Sequence, residues 1–314
     1  MDHFYQTLTE NTIYRVITGS TAYGLANEHI NVDEKAIVIL PPQYAFNLLN
    51  QWETETFHNP DIEFHSLKKA MKLLDSQNPT MLELLFIPDN YILVQTELGQ
   101  RLRENRHLFL SQNCYYSFGG YAKDQLMRIK NGLEKVSEDE KTEHLNDILI
   151  RGLKQLKENY LMLESGELTI NQVYVDNNRQ DADLTVNFNN IPLSKLNVLV
   201  SELASTLKSH NKAHKRNYKP KEKLAKHAMH LIRLLKMGIE ILEDGTLTVY
   251  RKTDRDHLLA IRNQKYTWDE IFTIADNLFE RLDKAKQTSS LPEYTDKDAI
   301  NKLYYELISD YYGI

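Results

Sequence analysis

The chain has 314 residues, 41 % of them apolar and 26 % charged, with only 11 glycines and 8 prolines. That balance supplies a packed core and excludes a low-complexity or linker-dominated chain. A formal charge of −6 argues against a protein whose main task is coating nucleic acid, because such binding rests on neutralising phosphates, although a local basic groove stays open.

The first hundred residues alternate strand-like and helix-like segments. Thr12 to Thr18 is rich in β-branched residues and stops at Gly19-Ser20, which predicts a strand. Ala36 to Leu40 is a short apolar run closed by Pro41-Pro42, as a buried strand would be. Gln43 to Trp52 reads as a helix, and Ile62 to His65 as a third strand. Leu67, Ala70, Met71 and Leu74 recur at helical spacing, and Asn78-Pro79 breaks the chain before a helix at Met81 to Phe86.

From about Phe109 long helical patterns dominate: Tyr115 to Leu133, Thr142 to Glu164, Lys221 to Glu243, Trp268 to Lys286 and Lys297 to Tyr311. Between the second and third of these, the stretch from Leu168 to Pro192 alternates like strands and predicts a β-hairpin-like insertion. The fold class expected is α+β: a small α/β domain over 1–108 with a mixed sheet flanked by helices, then a mainly helical domain over 109–314 with the insertion around 168–192. One cysteine, Cys114, leaves no internal disulfide, and no apolar run is long enough to span a membrane. The opening residues carry no basic stretch followed by an apolar run, so a cytoplasmic location is expected.

The stretch from Thr18 to Leu40 carries the chemistry. Gly19-Ser20 closes a strand and opens a helix-compatible segment; glycine admits close backbone approach to a ligand, and the N–H groups opening a helix favour an anion. Ser20 adds a hydroxyl that can donate to a phosphate oxygen or cap the helix. After ten further residues, Asn31-Val32-Asp33 leads into a strand, where residues two apart share a face and can present two oxygens to a divalent metal. Asp61-Ile62-Glu63 supplies two further carboxylates on one face of the next strand. Magnesium sites for nucleotides use one or two carboxylates together with substrate phosphates.

This arrangement resembles the signature of the DNA polymerase β-like nucleotidyltransferase superfamily: Gly-Ser, about ten residues, two acids two apart, then a third acid on a later strand. More narrowly, Gly19-Ser20-Thr21-Ala22-Tyr23-Gly24-Leu25 is similar to the GSxAYGL motif of a group of bacterial and phage nucleotidyltransferases. Asn78-Pro79 followed by Leu82-Glu83-Leu84-Leu85-Phe86, and the helix holding His230 to Leu235, also fit that group. The resemblance implies that Gly19, Ser20 and Tyr23 meet the nucleotide and that Asn31, Asp33 and Asp61 hold catalytic, metal-ligating positions. Glu63 is the alternative third acid. It implies Mg²⁺ or Mn²⁺, an NTP, and transfer of NMP to a hydroxyl of an RNA end, a protein or a small molecule, with pyrophosphate released. Asn31 departs from the pattern, which has Asp there; an amide keeps one oxygen but loses the charge. That departure leaves a second reading, a nucleotide-binding or regulatory protein without catalysis.

Lys226, His230 and Arg233 stand at i, i+4 and i+7 on one helix face and would complete a nucleotide pocket as cations opposite the acids. Tyr115, Tyr116, Phe118 and Tyr121 are candidates for stacking on a base. Arg251, Lys252, Arg255 and Arg262, with the basic stretch Lys212 to Lys223, would make a track for a nucleic-acid acceptor.

Overall fold

The computed structural model describes residues 3–26, 32–47, 52–133, 142, 145–146, 149–150, 167–175, 180–187, 191–214 and 220–314. Asn31 lies outside them, as do 48–51, nearly all of the helix expected at Thr142 to Glu164, and 215–219 of the basic stretch.

The architecture is α+β, with a five-stranded mixed sheet. A first helix, α1 (His3–Glu10), leads into β1 (Thr12–Ile17); a one-turn helix, α2 (Gly19–Ala22), precedes β2 (Glu34–Val38). After a short α3 (Pro42–Ala45) come β3 (Thr54–His58), β4 (Asp61–Ser66) and α4 (Leu67–Asp75). Then α5 (Pro79–Leu82) runs into a tighter helical turn at Glu83–Phe86, followed by β5 (Ile92–Gln95) and α6 (Glu97–Glu104). The strand order is β3-β4-β2-β1-β5. Only β2 and β4 run parallel, pairing Lys35 with Glu63 and Ala36 with Phe64.

Ala36, Val38, Leu40, Ile62 and Phe64 join Leu8 of α1 in a buried cluster flanked by Phe4, Tyr5, Tyr44, Trp52 and Phe57. Because successive strand residues alternate faces, burying Ile62 and Phe64 sends Asp61 and Glu63 to the opposite face of β4. Helix starts are specified locally. Ser66 accepts from the Lys69 N–H at the head of α4, and Asn78 accepts from the Met81 N–H with Pro79 in the first turn of α5.

The helices that follow are α7 (Cys114–Leu133), α8 (Leu193–His214), α9 (Lys221–Asp244), α10 (Arg255–Arg262), α11 (Trp268–Thr288) and α12 (Lys297–Tyr312), with the hairpin β6 (Glu167–Val175) and β7 (Gln180–Asn187) between α7 and α8. The chain groups into two compact units: Met1–Leu126 with Ala225–Ile314, and Met127–Leu224. Positions 108 and 109, where the change in periodicity sets the expected division, both fall within the first of these groups. Within the second unit, Leu145 and Leu149 bury against Ile170, Val173, Ala182 and Leu207, so the hairpin shares a small core of its own. No described helix is long and apolar enough to cross a membrane.

Candidate active site

The site grows from the end of β1. The Thr18 N–H donates to the Asp33 carbonyl at 2.8 Å, which draws the loop ahead of β2 against the start of α2. Gly19 sits at φ +66°, and a Cβ there would collide with the Asp33 carboxylate. Two separate constraints therefore select glycine: a left-handed backbone, and a carboxylate packed where a side chain would begin. Gly19→Ala is expected to cost about 1–3 kcal/mol in denaturant unfolding, the range for a non-glycine residue held in this region. An unchanged unfolding midpoint would show that the turn relaxes freely.

A cavity of about 280 Å³ opens beside this turn, and Gly19, Asp33, Lys35, Asp61, Glu63 and Glu83 all line it. Its charges divide into committed and uncommitted groups. Glu34 is paired with Arg15, Lys35 with Glu63, and Glu83 with Arg233. Glu63 is drawn down to about 2 by His65 and by Lys35, against burial. The His65 Nε2 stands 3.6 Å from the Glu63 Oε1, beyond a good hydrogen bond, so the contact with Lys35 is the firmer one. Asp33 and Asp61 have no ion-pair partner among the described residues. Burial holds the Asp33 carboxyl above its usual range, the neighbouring Asp61 charge adds to this, and Lys226 and Lys35 oppose it.

Two oxygen-rich, electrostatically coupled carboxylates facing one cavity fit a hard divalent cation that takes its other ligands from phosphate and water. They do not make a complete protein cage. Among the described residues, no group of three or more His, Cys, Asp or Glu side chains is placed to hold a metal ion.

Lys226, His230 and Arg233 of α9 occupy three environments, and only the first and last are cations at pH 7. Lys226 is exposed, and its charge reaches Asp33. His230 is pushed down to about 3 by burial and by Arg233, Lys226 and His227, so its ring is neutral at pH 7. Arg233 is buried at 5 % exposure, donates to the Glu83 Oε1 at 2.6 Å, and lies with its guanidinium carbon 3.8 Å from the Tyr23 ring centre. The Tyr23 hydroxyl donates to the other Glu83 oxygen. Tyr23 and Arg233 thus meet Glu83 beneath the site, and their polar groups are spent on that contact. Ser20 is half-buried, and its carbonyl accepts from the Leu25 N–H at 2.8 Å.

Glu83 was not singled out as a site residue. The signal was a lone charge inside the apolar run Leu82 to Phe86, which a buried partner must compensate. Lys35, Thr56 and Thr80 also line the cavity.

The other readings separate in the same way. Phe118 is fully buried in the core, whereas Tyr116 is 62 % exposed. The Lys286 ammonium lies over both Tyr115 and Tyr116 and donates to the Tyr116 hydroxyl, while the Asn78 side chain donates to the Tyr121 hydroxyl. Of the expected basic track, Arg251 is buried between Glu240 and Asp254, and Arg255 and Arg262 donate to backbone carbonyls, so these three do not form an open stripe.

A family model described as the RNA repair pathway DNA polymerase beta family (RlaP) matches residues 1–163, just over half of the chain. Comparison with curated proteins gives no match, and neither does comparison with solved structures.

Proposed function

The chain belongs to the RNA repair pathway DNA polymerase beta family, and from that premise we propose that its N-terminal cavity binds an NTP with a divalent cation and transfers NMP to a hydroxyl. The observation that carries this reading is the pair Asp33 and Asp61, two carboxylates without ion-pair partners among the described residues, in one cavity beside the Gly19 turn.

The roles follow from position. Gly19 lacks a Cβ, so phosphate can come close to the backbone at the mouth of α2, and Ser20 adds a hydroxyl donor. Asp33 and Asp61 would hold the cation, with Asn31 offering an amide oxygen. Glu63 is the weaker candidate for third acid, because Lys35 already holds it. The cation, when bound, neutralises charge on the triphosphate and on the departing pyrophosphate. Asp61 accepts the proton of the attacking hydroxyl; the new bond joins that oxygen to the α-phosphorus, and the bond to the bridging oxygen breaks to release pyrophosphate. Lys226, exposed and close enough to act on Asp33, would meet the triphosphate, and catalysis is mainly positioning and charge neutralisation. The family's description concerns RNA repair, so an RNA end is the first acceptor to supply.

Asn31 favours a second reading, nucleotide binding without transfer, because the site has one carboxylate fewer than the pattern it resembles. Thermal titration with ATP, GTP, CTP and UTP in the presence of Mg²⁺ tests the first step. A ligand at a hundred times its dissociation constant adds about 2.7 kcal/mol to stability, and Asp33→Ala with Asp61→Ala is expected to abolish that gain. No shift with any NTP rejects nucleotide binding. Asn31→Asp is expected to lower the Mg²⁺ concentration needed for NTP binding. If both forms bind an NTP and neither labels an RNA end, the binding reading replaces the transferase.

A further inference from the structure

The turn that follows Gly19-Ser20 is short, and its own bonds are few. The Tyr23 N–H donates to the Gly19 carbonyl at 3.2 Å, the Gly24 N–H to Thr21 at 3.0 Å, and the Leu25 N–H to Ser20 at 2.8 Å. One helical turn is marginal by itself, since nucleation fixes several dihedrals for one hydrogen bond. Something outside the turn must hold it.

The holding groups come from more than two hundred residues downstream. The carbonyls of three consecutive residues each accept one hydrogen bond from the segment 251–262. The Arg251 N–H donates to Tyr23 at 3.1 Å, the Arg255 Nε to Gly24 at 2.6 Å, and an Arg262 Nη to Leu25 at 2.7 Å. Two of these bonds carry a full charge on the donor, which shortens and strengthens them. Arg255 and Arg262 are seven apart on α10, two turns along one face, and so reach adjacent carbonyls together. The Tyr250 ring covers Gly24 so closely that a Cβ there would lie 2.7 Å from a ring carbon. Arg251 is itself anchored, at 2.6 Å from Glu240 on α9 and at 2.8 and 2.9 Å from Asp254. This clamp lies outside residues 1–163, the part matched by the family model.

We infer that Arg255 and Arg262 are positioning residues for the nucleotide: they hold the Gly19–Leu25 turn in the form that presents Gly19 and Ser20 to phosphate, so that the site is completed by the segment 251–262. The part of this inference that concerns nucleotide rests on the function proposed above; the ordering of the turn does not.

The test uses the full chain carrying Arg255→Met, Arg262→Met and the double change, which keep the apolar stems and remove the donors. Amide hydrogen exchange at Tyr23, Gly24 and Leu25, followed without nucleotide, is expected to speed up at least tenfold in the double variant, while amides of β4 keep their rates. Dissociation constants for ATP, GTP, CTP and UTP with Mg²⁺ are expected to rise at least tenfold for whichever NTP the parent binds. Arg255→Lys with Arg262→Lys should recover part of both effects, because an ammonium still donates one charged hydrogen bond. Arg281→Met, which removes only a surface pair with Glu243, serves as the control and should change neither readout. Unchanged exchange in the double variant overturns the clamp, and so does equal acceleration throughout the sheet, which would mean general destabilisation. Faster exchange at the turn with NTP affinity retained would overturn the positioning role. If the parent binds no NTP, the proposed function fails, and the exchange experiment alone decides whether the arginines order the turn.

Discussion

Arg233→Met is expected to lower stability by about 3–5 kcal/mol, the cost of stranding a buried charge when its partner is removed. Arg233 and Glu83 are 5 % and 4 % exposed, and their contact is 2.6 Å. With the guanidinium gone, Glu83 keeps only the Tyr23 hydroxyl, and the Tyr23 ring loses the cation stacked on its face. Urea unfolding followed by circular dichroism measures the loss. The compensating double change Glu83→Gln with Arg233→Met should recover a large share of it, because no buried charge is then left alone. A loss below about 1 kcal/mol in the single variant would mean that water or another group reaches Glu83.

Asp33→Asn is expected to move two observables in opposite directions. Mg²⁺-dependent NTP affinity should fall by on the order of a hundredfold, because a charged oxygen ligand is lost from a site that has few. The unliganded protein should become more stable at neutral pH. The sign follows from the raised Asp33 pKa. Between the ordinary carboxylate range and that raised value the folded state binds more protons than the unfolded chain, so its stability falls as pH rises through that window. At pH 7 the partial desolvation of the Asp33 carboxylate and its repulsion by Asp61 are fully present, and the amide removes both. Melting temperature against pH, for both forms without nucleotide, gives the test. If the variant is no more stable than its parent at pH 7, the carboxylate is not under strain in the fold. Stability given up for a charged, unpaired pair is the pattern expected of a functional site.

Much of this was legible in the sequence because it depends on short-range pattern. The β-branched run at Thr12 to Thr18, the apolar run ending at Leu40 and the alternation at Ile62 to His65 placed β1, β2 and β4, and helical spacing placed α4, α7, α9, α11 and α12. The two edge strands were not read. β3 is the polar Thr54–His58, β5 is only four residues long, and both are half-exposed, so neither carries a full apolar face. Nor were α8 and α10 read from local pattern.

The sequence by itself determined where the candidate residues near the N-terminus stand along the chain. Gly19, Asp33 and Asp61 stand at positions where chain conformation is local: the end of one strand and the starts of two others. Tertiary structure alone decided which charges stay free to act. Periodicity put Asp61 and Glu63 on the same face, and only the parallel pairing of β2 with β4 brought Lys35 onto Glu63. Spacing put Lys226, His230 and Arg233 along one side of a helix, and only packing buried Arg233 against Glu83 while leaving Lys226 exposed. The physical reason is common to both cases. The state of a charge is set by the partner and the solvent around it, and those partners arrive from 28 and 150 residues away.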